Sequence, residues 1–231
     1  MKDLFTDFDT LIVLDTETTG VKFRTDEIIE LGAVRLRRDG DSFAPDGELS
    51  FLIRLPTGRT VPPVIERITG ISQSMLDADG VGRREAAERL QDFLACDKAL
   101  CVAYNAQFDL SFLYYFLARF GLAGCLRGLK FLDALTVYRD RRPYPHKLEN
   151  AIEAYGLGEM AVKSHRAIDD AKATVCLLEA MAAEENDLDR YVNLFGYNPR
   201  YGVSGKPIGS ITYCAQSYDP HPPLYLLARE E

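Results

Sequence analysis

The sequence lacks the features of a membrane-bound or secreted protein. No apolar run approaches the length of a membrane span, and the N-terminal stretch MKDLFTDFDT carries acids where a signal peptide needs a basic start. The five cysteines form no CxxC pair, which fits reduced thiols in a core better than a disulfide framework or a zinc site. We therefore expect a cytoplasmic protein that makes no membrane contact.

Positive charge is also in short supply. The chain has 27 Lys and Arg against 35 Asp and Glu, a net charge of −8, which argues against binding long duplex nucleic acid by charge alone. The basic residues are unevenly spread, because residues 127–147 contain six of them and only two acids. This segment is either a solvated loop or a local patch that faces phosphates.

Short apolar segments alternate with amphipathic ones, which predicts an α/β domain. Strands are predicted at 11–15, 28–36, 49–55, 99–104 and 129–133, and helices at 83–95, 106–120, 134–140, 147–155 and 166–185. We expect a mixed central sheet flanked by helices over residues 1–185. Residues 186–231 are rich in Gly, Pro, Tyr and Ser, and we interpret them as a C-terminal extension or a partner-binding tail.

Two acids stand at the end of a strand that is predicted to be buried. The apolar run Leu11–Leu14 leads directly into Asp15 and Glu17. Because side chains alternate along a strand, these two carboxylates share one face and Thr16 points away. Buried carboxylates without partners are costly, so something must compensate their charge.

Two further acids begin apolar stripes on predicted helices. Asp109 lies in line with Leu113, Phe116 and Phe120, so its helix presents it to the core side. In the segment HRAIDDA, helical geometry points Asp170 inward and leaves Asp169 near the solvent face. His165 precedes this helix, five residues before Asp170.

Four converging carboxylates require cations, and a ligand set of oxygens alone favours Mg²⁺ or Mn²⁺. Two such ions can activate a water and stabilise the leaving oxygen of a phosphodiester. A histidine such as His165 can accept the proton of that water as a general base. The pattern predicts a nuclease site with Asp15, Glu17, Asp109 and Asp170 as ligands.

Three motifs resemble those of the DEDDh 3′→5′ exonucleases, the family of ribonuclease H-like fold that includes the proofreading epsilon subunit of bacterial DNA polymerase III. They are DTETTG at 15–20, NAQFDLSFL at 105–113 and HRAIDDA at 165–171, in the family's order. The resemblance covers residues 9–184. It implies that the same four acids hold two metal ions and that His165 is the base.

The resemblance also implies which residues contact the substrate. Thr18 and its neighbours Thr16 and Thr19 would lie beside the terminal 3′-hydroxyl, with Asn105 and Phe108 of the second motif as further substrate contacts. Two positions depart from the family pattern. Tyr104 stands where many members have histidine, and Thr69 stands where the polymerase subunit has histidine.

The implied function is release of nucleoside 5′-monophosphates from the 3′ end of single-stranded nucleic acid, with DNA favoured and a role in proofreading or repair. The sequence leaves two alternatives open, an enzyme that trims RNA or short oligoribonucleotides and a non-catalytic scaffold subunit. A DNA polymerase or another protein is the expected partner of the C-terminal segment.

Overall fold

A computed structural model describes residues 1–158, 166–197, 210–220 and 222–228. The predicted residue His165 lies outside these ranges. Five strands form the main sheet: β1 (Thr10–Thr18), β2 (Ile28–Asp39), β3 (Ser42–Leu52), β4 (Ala99–Ala103) and β5 (Lys130–Asp133). Two further strands, β6 (Leu194–Tyr197) and β7 (Thr212–Ala215), pair with each other.

The described helices include the five that the sequence predicts. They are α1 (Pro63–Thr69), α2 (Gln73–Asp79), α3 (Arg83–Leu94), α4 (Ala106–Ala118), α5 (Ala134–Arg141), α6 (Leu148–Ala154), α7 (Ala167–Glu184) and α8 (Leu224–Leu227). Short 3₁₀ helices occupy Lys2–Thr6, Ala123–Leu126 and Leu188–Tyr191. Among the described helices, none combines the length and the hydropathy that crossing a membrane requires.

The main sheet is mixed, as predicted. Its order is β3-β2-β1-β4-β5, with β1 antiparallel to β2 and parallel to β4. The predicted limits of three strands were wrong: β1 continues through the acids to Thr18, β2 continues to Asp39, and β3 spans Ser42–Leu52 rather than 49–55. Pro45 and Gly47 lie in the edge strand β3, next to a register shift in its pairing with β2. A sheet tolerates both residue types at such a position.

Each face of β1 packs into a separate hydrophobic core. Ile12 and Leu14 contact the core that contains α3 and α4, whereas Leu11 and Val13 contact the core that contains α5, α6 and α7. This alternation follows from the period of two along a strand. The end of β1 therefore lies between α4 on one face and α7 on the other.

Helix α7 approaches the sheet closely at Gly32. A Cβ atom at this position of β2 would lie within 3.0 Å of backbone atoms of Ala167 and Ile168 at the start of α7. In the sheet register Gly32 is paired with Asp15. The missing side chain therefore lets the first turn of α7 lie directly over the strand end that carries the acids.

The described part of residues 186–231 packs on the domain. Leu188, Tyr191 and Leu224 are buried in the same core as α7, and Phe195 and Ile211 are buried in the core on the α4 side. These contacts favour an extension that lies on the domain. The boundary at 185/186 stays a prediction.

We predict that Gly32→Ala lowers the free energy of unfolding by about 1–3 kcal/mol, because the added methyl group must displace the start of α7. Chemical denaturation of both proteins measures the change. Gly124→Ala is the matched control, since a Cβ there meets nothing within 4 Å. Equal losses in the two variants would contradict the close approach as the cause.

Candidate active site

Three of the predicted ligands meet at the end of β1. One carboxylate oxygen from each of Asp15, Glu17 and Asp170 lies within 4.8 Å of the others. The two strand residues share a face because they are two positions apart, and α7 covers that face. Asp170 points inward as predicted, in line with the buried Thr174, Leu177 and Met181.

The fourth acid reaches the same strand end from the opposite face. Asp109 in the first turn of α4 is 2% exposed, and its Oδ1 accepts a hydrogen bond of 2.7 Å from the hydroxyl of Thr16. Thr16 points away from Asp15 and Glu17, and this is why it meets α4. The hydroxyl thus fixes the carboxylate of Asp109 beside the cluster.

A cavity of 360 Å³ opens over these acids. All four carboxylate residues line it, together with Thr16, Tyr104, Asn105, Phe108, Leu135, His146, Lys147, Leu148. A polar, acid-lined opening of this kind can admit a metal ion and the end of a polymer strand.

Burial and mutual repulsion raise the pKa values of three of the acids. Burial raises the pKa of Glu17 to about 8, and the charges of Asp170, Glu30 and Asp109 add to the shift. The pKa of Asp15 lies well above its ordinary value, first through burial and then through Asp109 and Asp170. Burial also raises the pKa of Asp109 to about 7, although the hydrogen bond from Thr16 opposes the shift.

These residues fit divalent cations. The donors are carboxylate oxygens, the ligands that Mg²⁺ and Mn²⁺ prefer. Their pKa values are raised first by burial and then by neighbouring negative charge, and a bound cation would offset both. The guanidinium of Arg166 is nearby but is paired with Glu30, at 2.6 Å from Nη2 to Oε1. The cluster therefore has the composition of a divalent metal site.

Glu30 was missed by the sequence reading. This carboxylate of β2 is fully buried, accepts from Nε of Arg166 at 2.8 Å and accepts from the backbone N–H of Ala167 at 3.0 Å. It thereby anchors the start of α7 next to His165 in the chain. An acid inside the apolar run IIELGAV was the signal that could have revealed it.

Asp133 anchors the start of α4, as Glu30 anchors the start of α7. The buried carboxylate at the end of β5 accepts from the N–H of Ala106 at 3.0 Å, the N–H of Leu135 and the hydroxyl of Thr136 at 2.6 Å. Asn105 precedes α4 in a left-handed conformation with φ of 65°. This turn places Asn105 and Phe108 in the cavity wall, and their contact with a substrate stays a prediction.

The other predicted substrate residues have local partners. The hydroxyl of Thr18 donates to the carbonyl of Gly20 at 2.6 Å, and the hydroxyl of Thr19 accepts from the N–H of Glu27 at 2.9 Å. Both therefore shape the turn after β1. Their contact with a 3′-hydroxyl stays a prediction.

The two departures from the family pattern also form internal bonds. The phenol of Tyr104 donates to the carbonyl of His146 at 2.8 Å, and burial raises its pKa, so it remains a neutral donor beside the cavity. The hydroxyl of Thr69 donates to Ile65 and accepts from the N–H of Ile71, which closes the end of α1.

The basic segment is not a uniform patch. Arg141 is paired with Asp187 at 2.6 Å and Arg142 with Glu184 at 2.8 Å, so these two side chains hold structure together. Arg139 is buried. Of the six basic residues, Lys147 is the one in the wall of the acid-lined cavity.

The fold and the site define an α/β protein with a cluster of acids that could hold a divalent cation. The family model described as Exonuclease (RNase_T) matches residues 12–178, and the chain belongs to this family. The match confirms the resemblance drawn from the three motifs.

Curated relatives agree with this family. The chain is 33% identical over 177 residues to the DNA polymerase III subunit epsilon of Treponema pallidum, covering 73% of this chain and 74% of the relative. It is 32% identical over 169 residues to the PolC-type DNA polymerase III of Thermotoga petrophila. That alignment covers 71% of this chain but 11% of the relative. A ribonuclease T of Photorhabdus laumondii is 33% identical over 119 residues, which cover 48% of this chain and 55% of that protein.

Solved structures share the fold. A zinc-bound complex of E. coli ExoI with single-stranded DNA aligns with a TM-score of 0.70 at 20% identity, over 80% of this chain and 42% of that one. A second exonuclease I structure gives 0.71 at 21% identity, over 79% and 43%. The expected ribonuclease H-like exonuclease fold is confirmed.

We predict that the metal-free protein loses stability as pH rises from about 4.5 to about 8. The pKa of Glu17 rises from 4.5 to about 8 on folding, so the folded state binds more protons and its stability falls across this window. Thermal unfolding in chelator at several pH values measures the effect. Mg²⁺ should raise the Tm more at pH 8 than at pH 5.

Glu17→Gln is the control for this prediction, because the neutral amide cannot ionise and the slope of Tm against pH should become shallower. A Tm of the parent protein that stays level or rises through this window would contradict the prediction.

We predict that Thr16→Val weakens Mn²⁺ binding about 10- to 100-fold, because Asp109 loses the hydroxyl that orients it while the volume of the side chain is kept. Isothermal titration calorimetry measures the affinity. Thr10→Val is the control, since Thr10 is equally buried but lies at the other end of β1. Unchanged affinity in the Thr16 variant would exclude this positioning role.

Proposed function

We propose that this protein is a metal-dependent 3′→5′ exonuclease. It hydrolyses phosphodiester bonds at the 3′ end of single-stranded nucleic acid, DNA in preference to RNA, and releases nucleoside 5′-monophosphates. The proposed role is in proofreading or repair.

One observation carries the proposal. Carboxylates from β1 and α7 lie within 4.8 Å of one another, with Asp109 beside them, in a cavity that is open to a strand end. Acids are not gathered in this way for stability, since burial and repulsion raise the pKa of each of Asp15, Glu17 and Asp109.

The four acids would hold two Mg²⁺ or Mn²⁺ ions. When bound, such ions generate a nucleophilic water and stabilise the charge on the leaving oxygen. The hydroxyl of Thr16 would hold the carboxylate of Asp109 in place as one of these ligands. Asn105 and Phe108 contact the terminal nucleotide from the cavity wall.

His165 is the proposed general base. A ring nitrogen of this histidine accepts the proton of the attacking water. The residue precedes Arg166, whose guanidinium is bonded to the buried Glu30. This anchor next to His165 in the chain, together with the motif HRAIDDA, supports the assignment.

The net charge suits a short contact with a strand end. With a net charge of −8 the chain is unsuited to binding long duplex nucleic acid by charge alone. Bound cations and the few basic residues near the cavity would attract the terminal phosphates. RNA trimming is the second candidate, favoured by the similarity to ribonuclease T.

A DNA polymerase or another protein is the proposed partner of residues 186–231. The named relatives include polymerase subunits, and the described part of this segment exposes Leu226 and Leu227. These two side chains are candidates for such a contact.

We predict that Asp170→Asn reduces the release of 5′-mononucleotides from a single-stranded DNA oligomer at least 100-fold, because a cation ligand is lost from the cluster. Product release is measured with Mg²⁺, Mn²⁺ or chelator on DNA and RNA oligomers of equal sequence. Asp169→Asn is the matched control, since this neighbour lies outside the cluster and should retain activity.

No release by the folded parent protein from either polymer, with both metals tested, would overturn the proposed function. Faster release from RNA would favour the trimming enzyme over the DNA exonuclease.

A further inference from the structure

A second cavity of 300 Å³ adjoins the acid-lined one. The two share four wall residues, namely Asn105, Leu135, His146 and Lys147. A strand whose end lies over the acids can therefore continue across this shared wall. The inference rests on the proposed function, since it concerns the same strand.

The C-terminal segment completes the wall of this second cavity. Tyr218 lines it and lies beneath the guanidinium of Arg139, which is 4.8 Å from the ring centre. Arg139 also donates to the carbonyls of Gln216 and Ser217, each at 2.9 Å. The family match ends at residue 178, so Tyr218 lies outside it.

Aromatic rings border the cavity and face solvent. Tyr144 is 69% exposed and Tyr218 is 52% exposed. The ring of His146 is nearly parallel to that of Tyr218, at 18° with centroids 6.4 Å apart. Exposed aromatic faces in a groove are the usual platform on which the bases of a single strand stack.

Buried donors in the wall lack partners. Nε2 of Gln107 and Nε of Arg139 have no hydrogen-bond partner among the described residues, although both side chains are 4% exposed and both line the cavity. Both atoms have almost no accessible surface and lie behind the wall, so the exposed aromatic rings are the surface that a base can contact.

We propose that this second cavity binds a base of the substrate strand on the 5′ side of the nucleotide being released, stacked on the ring of Tyr218, while the ring of Tyr144, at 83° to that of Tyr218, meets the edge of the base. The C-terminal segment is thereby part of the substrate site. It increases affinity for strands long enough to reach it and does not act on the bond that is cleaved.

The test compares two substrates. The p-nitrophenyl ester of thymidine 5′-monophosphate contains a cleavable bond and one nucleotide, but no base on the 5′ side. Tyr218→Ala should leave its hydrolysis unchanged and should raise KM for an oligothymidylate by about 10-fold at constant kcat, as expected for one lost stacking contact. Tyr218→Phe should behave as the parent protein, and Leu226→Ala, in the same segment but outside the cavity wall, is the control.

An abasic scan locates the contact. Each oligomer carries one abasic site, placed at successive positions from the 3′ end. Fluorescence anisotropy measures the affinity of the Asp15→Asn protein for each oligomer. At one position the abasic site should weaken binding about 10-fold in the Asp15→Asn protein. At the same position it should have no further effect in the protein that carries both Asp15→Asn and Tyr218→Ala.

Three results would overturn the inference. The first is an equal KM for the oligomer in the parent protein and in Tyr218→Ala, and the second is that the effects of Tyr218→Ala and of the abasic site add at every position. The third is that Tyr218→Ala reduces hydrolysis of the mononucleotide ester as much as hydrolysis of the oligomer. The first two exclude the base contact, and the third shows a structural role of Tyr218. Absence of hydrolysis of either substrate by the parent protein would instead refute the proposed function.

Discussion

Crowding of carboxylates at the end of one strand is the constraint on which the arrangement depends. Asp15 and Glu17 cannot separate, because β1 fixes both on one face. Asp170 and Asp109 are brought against them by helices that pack on opposite faces of the sheet. The packing of the two cores thus holds together charges that repel one another, an arrangement that favours cation binding over stability.

The helices that bring these acids are fixed at their first turns. At α7 the absence of a side chain at Gly32 allows close contact, and Glu30 accepts hydrogen bonds from Arg166 and Ala167. At α4 the buried Asp133 holds the N–H of Ala106. Asp109 and Asp170 both lie within the first turns that these contacts fix.

The C-terminal segment joins this arrangement through side chains of both cores. Its buried Tyr191 and Phe195 lie among residues of the family region, and Gln216 donates to the carbonyl of Thr136 and to the carboxylate of Asp140. These bonds fix the residues around Tyr218 against α5.

The fold divides the basic residues that lie together in the sequence. Arg141 and Arg142 form ion pairs, whereas Arg139 and Lys147 border the cavities.

Much of the site was determined by local periodicity. Alternation along β1 placed Asp15 and Glu17 together, and the helical repeat distinguished Asp170 from Asp169, because both depend on residues a few positions apart. The limits of β1 and β3 were less accurate, since pairing with neighbours extends a strand through residues of poor propensity such as Pro45 and Gly47.

Other features were decided by the tertiary structure alone. The bond from Thr16 to Asp109 joins residues 93 apart in sequence, that from Arg166 to Glu30 joins residues 136 apart, and that from Arg139 to Gln216 joins residues 77 apart. No local pattern records such pairs, because each forms only when strand, helix and C-terminal segment have packed. The sequence by itself determined which acids face inward, and the packing of distant segments decided what holds them and what surrounds them.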